Sequence, residues 1–105
     1  MSLALNSVLL FFAGAFLCNA IPHLAAGLRG ELFPSPFAKP PGRGNSPPVT
    51  NFLWSSLNLA AGLALLLMRP PVAFSAAGFI ALAFGWLALG IFCARHFGAV
   101  RRQKD

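Results

Sequence analysis

Two cysteines and two histidines are the side chains best suited to chemistry in this sequence of 105 residues. Cys18 and His23 stand with four residues between them, and Cys93 and His96 with two. Two thiolates and two imidazoles brought to one depth could supply the four ligands of a tetrahedral zinc ion. Such pairs are far less specific than paired CxxC motifs, and a lone Cys is commonly a small buried hydrophobe. The expectation is therefore no metal and no cofactor, with Cys18, His23, Cys93 and His96 as the only candidate ligand set. Acid–base catalysis is poorly served, because Glu31, Asp105 and the C-terminus are the only carboxyl groups and they offer no pair within reach of one bond. The Gly42-Arg43-Gly44 run is too short for a phosphate cradle. An enzyme is not expected.

The amides are more orderly. Asn51, Ser55, Asn58 and Gly62 recur at i, i+4, i+7 and i+11, which is one stripe of a helix. Ala15, Asn19 and His23 form a similar stripe. Amides facing lipid are costly, so Asn19, His23, Asn51, Ser55 and Asn58 are expected to form a polar seam between two helices. A polar pocket open to the cytoplasm is the alternative. Antiparallel spans place Asn19 and Asn51 at one depth and Asn58 about 10 Å deeper, at a rise of 1.5 Å per residue.

The elements that must position these residues follow from the composition. Hydrophobic residues make up 57% of the chain, charged residues only 10%, and mean hydropathy is +0.71. Soluble domains carry about 25% charged residues, so the material suits a bilayer. Three apolar stretches, about 3–22, 49–68 and 72–95, reach the ~20 residues that a spanning helix needs. None alternates with period two, which disfavours barrel strands. The expected fold is an all-α membrane protein of three transmembrane helices forming one domain over residues 1–105.

End signals divide these helices. Pro22 should kink or end the first. Ser46 before Pro47 and Pro48 offers an N-cap for the second. Arg69-Pro70-Pro71 makes a tight hairpin to the third, which Gly98 should stop, leaving a basic tail over 96–105. Ala77, Ala81 and Gly85 have the small-xxx-small spacing that permits close helix approach, within one chain or between copies. The apolar cores of the spans hold no Asp, Glu, Lys or Arg, which disfavours an ion-coupled carrier. Residues 1–8 lack Lys and Arg, so the first span does not read as a cleaved signal peptide.

Net charge is +6 and the isoelectric point about 11.3. The basic residues flank apolar runs instead of covering a domain surface, which points to anionic lipid and away from nucleic acid. Arg29, Lys39 and Arg43 lie in the first loop and Arg95, Arg101, Arg102 and Lys104 in the tail, against Arg69 alone in the second loop. By the positive-inside rule the N-terminus faces outward and the C-terminus the cytoplasm.

The first loop, 23–48, is expected to be a cytoplasmic Pro/Gly-rich strap. It holds Pro34, Pro36, Pro40, Pro41, Pro47 and Pro48, which favour extended geometry and turns. Leu24, Leu28, Leu32, Phe33 and Phe37 suit an interface, so a short interfacial helix over about 23–33 should precede the strap. Arg29, Lys39 and Arg43 are its expected contacts to lipid or to a partner. The run Asn19-Ala20-Ile21-Pro22-His23, the segment FPSPFAKPPGRG, and Asn51-Phe52-Leu53-Trp54 resemble an uncharacterised family of small bacterial integral membrane proteins. The resemblance, with its pattern NAxPH…FPxPFxxPPGxG…NxxW, implies a bacterial cytoplasmic membrane and brings no activity, cofactor or site residue. The functional expectation is a non-enzymatic accessory, assembly or stabilising partner of a larger membrane protein. The alternative is a homo-oligomeric permeation element for small molecules or ions, and after that a redox or metal-binding protein using His23 and His96.

Overall fold

The computed structural model describes residues 2–104. The order of elements is α1 (Leu3–Leu28), β1 (Phe33–Pro34), β2 (Asn45–Ser46), α2 (Pro48–Leu67), a single 3-10 turn at Pro71–Ala73, and α3 (Ala76–Lys104). All three α-helices are long and apolar enough to cross a membrane.

Helix α1 begins where the Ser2 hydroxyl accepts from the Leu5 N–H at 3.0 Å. It passes through Pro22 and does not end there. The missing N–H leaves the Cys18 carbonyl without its helical donor, yet the turns beyond Pro22 are held from outside by packing at His23 and Ala26. The true stop lies at Gly30, in the left-handed region at φ 70°. There the Glu31 N–H reaches the Ala26 carbonyl at 2.9 Å and the Gly30 N–H reaches the Gly27 carbonyl at 3.1 Å. That pair of bonds is a Schellman ending, which needs glycine for its positive φ. The separate interfacial helix expected over about 23–33 is therefore the last turns of α1.

The connector from 29 to 47 is more regular than its prolines suggest. β1 and β2 pair antiparallel, with Phe33 opposite Ser46 and Pro34 opposite Asn45. The buried hydroxyls of Ser35 and Ser46 meet at 2.7 Å. Ser46 is thereby taken from its expected capping role, and Pro47 occupies the N-cap of α2 with no side-chain bond.

After α2, the 3-10 turn delays α3 to Ala76, where the Ser75 hydroxyl accepts from the Gly78 N–H at 3.4 Å. Gly98 does not stop this helix. Its 29 residues span about 43 Å at 1.5 Å per residue, so the tail expected beyond 96 is helical through Lys104. Arg101, Arg102 and Lys104 in the last turn suit the negative end of the helix dipole.

α1 is the central helix, antiparallel to α2 and parallel to α3, while α2 and α3 make almost no direct contact. Small residues line the inside: Ala13, Gly14, Ala20 and Gly85 are buried. Leu57, Leu67, Phe84 and Leu87 point outward. A Cβ on Gly85 would run into the Phe11 carbonyl, and one on Gly14 into the Leu82 carbonyl. Backbones this close are how helices gain dispersion contact where apolar burial gains nothing over lipid. The small-residue stripe of α3 is thus used at Gly85 within the chain.

Candidate functional site

Polar side chains gather at the end of the bundle where the connector returns. Asn51, fully buried on α2, is the centre. Its amide nitrogen donates to the Phe33 carbonyl at 2.9 Å and faces the Ser46 and Pro47 carbonyls at 3.3 Å. Those acceptors fix the amide's orientation, so its oxygen accepts from His23 Nδ1 at 2.7 Å. The His23 proton is thereby assigned to Nδ1, and Nε2 of the neutral ring is an acceptor. One amide ties α1, α2 and both short strands together.

A second relay lies deeper. Cys93 Sγ donates to Asn19 Oδ1 at 3.7 Å, Asn19 Nδ2 donates to Asn58 Oδ1 at 3.0 Å, and Asn58 Nδ2 donates to the Trp54 carbonyl at 2.8 Å. The relay crosses all three helices. Asn19 therefore partners Asn58, and not Asn51 as equal depth had suggested. Asn58 lies about two helical turns from Asn51, and on α1, which continues through Pro22, it is His23 that stands opposite Asn51. Ser55 is fully buried beside them, but its hydroxyl donates to the Phe52 carbonyl of its own helix at 2.7 Å.

The cysteines and histidines separate. Cys18 and Cys93 line a groove of about 630 Å3 between α1 and α3, beneath the connector. His23 and His96 line a smaller cavity of about 330 Å3 on the other side, with Trp54 and Phe92. Phe97 stands in the walls of both. His96 Nε2 donates to the Gly42 carbonyl at 2.7 Å, and its ring stacks on Phe92. Among the described residues, no three of His, Cys, Asp and Glu are grouped to hold a metal ion. The four candidate ligands do not converge.

Arg29, Lys39 and Arg43 also differ from one another. Arg29 donates to Glu31 within a surface ion pair, and the guanidinium holds that carboxyl below the usual carboxylate range. Arg43 donates to Gln103 near the end of α3 at 2.6 Å. Lys39 is exposed. At the opposite end of the bundle, Arg69 donates to Asn6 at 3.2 Å and to the Leu65 carbonyl at 3.1 Å.

Several participants carry no sequence signal for these roles. Cys93 enters the amide relay, Asn6 receives Arg69, and Trp54 Nε1 is a buried donor with no partner among the described residues. Whole-turn spacing from Asn19 does not reach Asn6, which lies on another face of α1. No protein-family model matches this chain, and neither the curated proteins nor the solved structures provide a match.

Proposed function

We propose that this chain is a small non-enzymatic protein of a bacterial cytoplasmic membrane, acting as an accessory or stabilising partner of a larger membrane protein. Its N-terminus faces outward, and the connector and the end of α3 lie on the cytoplasmic side. The connector is its contact surface, an interfacial strap presenting Leu32 and Phe37 beside Lys39.

One observation carries this reading. The connector is tied at both ends and its middle, by Asn51 to Phe33 and Ser46 and by His96 to Gly42, while Leu32 and Phe37 stay 62% and 63% exposed. A surface held in place before binding loses little conformational freedom when a partner arrives. Its polar groups are spent on structure: the Asn51 amide, Ser35, Ser46 and one nitrogen of each imidazole are engaged. That supports display over catalysis.

Extraction in mild detergent followed by affinity capture and mass spectrometry tests the proposal. A larger membrane protein should co-purify in fixed ratio, and Leu32→Ser with Phe37→Ser should release it without unfolding the bundle. Recovery of defined homo-oligomers that pass solute in liposomes would replace this reading with the permeation element.

A further inference from the structure

The groove between α1 and α3 has two chemically distinct halves. Its floor is apolar, made by Cys18 and Ile21 of α1 and by Gly90, Cys93 and Phe97 of α3. Its mouth carries Arg101 and Lys104, both exposed on the last turn of α3. Gly90 and Arg101 are separated by about 16 Å along the helix axis, at 1.5 Å per residue. A Cβ on Gly90 would meet Cys18 Sγ at 3.4 Å, in ordinary contact, so only a larger side chain there would fill the floor.

Among the described residues, the charges at the mouth are not cancelled locally. Lys104 Nζ donates to the neutral Asn45 side chain at 2.9 Å. Glu31 feels Arg101, but it is paired directly with Arg29. Two cations therefore stand over an apolar trough, and among the described residues the one carboxylate, Glu31, is already engaged.

We infer that this groove is a binding site for one anionic glycerophospholipid of the surrounding bilayer. The phosphate lies between Arg101 and Lys104, and an acyl chain follows the floor past Phe97 to Gly90. The inference rests on the membrane reading above. A free inorganic anion would leave the apolar floor unused. A zwitterionic lipid would bring its ammonium to a mouth where Arg101 and Lys104 repel it. Basic residues near a membrane surface attract acidic headgroups individually, and here two of them share one apolar channel.

The experiment compares lipid retention on the purified full chain by intact-protein mass spectrometry. The protein is first equilibrated with vesicles of equal phosphatidylglycerol and phosphatidylcholine. One phosphatidylglycerol per chain should be retained in preference to phosphatidylcholine. Arg101→Gln with Lys104→Gln should lower that retention about tenfold or more, and Gly90→Leu should lower it by filling the floor with the charges intact. Arg95→Gln with Arg102→Gln, exposed on the same helix but outside the groove, should leave it unchanged.

Equal retention of both lipids would mean a nonselective lipid shell and would overturn the site. Competition by millimolar inorganic phosphate would mean an anion site without an acyl chain. Equal loss in the Arg95/Arg102 variant would mean diffuse attraction. Resistance of the chain to alkaline extraction from membranes checks the membrane reading separately. A chain that stays in the bilayer but retains no lipid selectively removes only the site.

Discussion

The two faces of α1 are held by different physics. Toward α3, contact is made by absence: Gly14 and Gly85 remove side chains so that backbones meet at the Phe11 and Leu82 carbonyls. Toward α2, hydrogen bonds from His23 to Asn51 and from Asn19 to Asn58 are added to a close approach at Gly27 and Gly62. Both devices answer one problem. A helix in lipid gains little from burying leucine, so association must come from close dispersion contact or from polar groups that lipid cannot satisfy. The glycine face tolerates almost no added volume. The amide face is close too, at Gly27 and Gly62, but it alone depends on paired polar partners between α1 and α2. Each should therefore fail under a different substitution.

The largest effect is expected on the glycine face. Gly85→Leu must push α1 and α3 apart, because even its Cβ collides with backbone at Phe11. Overpacking of this kind costs about 1–3 kcal/mol or more, read as a fall in thermal stability in mild detergent. Unchanged stability would show that the two helices do not approach backbone to backbone.

Next comes the centre of the amide face. Asn51→Leu keeps the volume similar but strands His23 Nδ1 and the Phe33 carbonyl together. Leaving buried groups unpaired costs about 1–3 kcal/mol. The connector should also loosen, so protease should cut between 33 and 48 faster than in the parent protein. Equal cleavage rates would mean that Asn51 does not hold the connector.

The smallest effect sharpens the boundary of the seam. Ser55 shares the stripe with Asn51 and Asn58, yet its hydroxyl bonds within α2. Ser55→Ala should change stability by about 0.5 kcal/mol or less, as back-bonding hydroxyls in helices do. A loss as large as that of Asn51→Leu would place Ser55 in the contact between helices.

Much of this architecture is legible in the residues. Long apolar runs without internal charge predict three helices, and the amide spacing predicts which faces turn inward. The helix ends are less legible, because they are decided by competition. Pro22 is the stronger local breaker, but the Schellman bonds at Gly27 and Gly30 and the packing of His23 carry α1 past it. Gly98 fails to stop α3 because the helix is clasped beyond it, by Arg43 on Gln103 and Asn45 on Lys104. The pairing of β1 with β2 depends on Ser35, Ser46 and Asn51 meeting across the connector, which local propensity does not encode. The separation of thiols from imidazoles likewise depends on where Phe97 stands between the cavities.

The register between α1 and α2 is the point on which the account turns. Two double-mutant cycles measured side by side test it directly: Asn19→Leu with Asn58→Leu, and Asn19→Leu with Asn51→Leu, each read as unfolding free energy in mild detergent. The Asn19–Asn58 cycle should show a coupling of about 0.6–1.7 kcal/mol, the range of hydrogen bonds between membrane helices, and the Asn19–Asn51 cycle should be additive. Coupling in the second cycle with additivity in the first would mean that the helices pair about two turns away from the arrangement described.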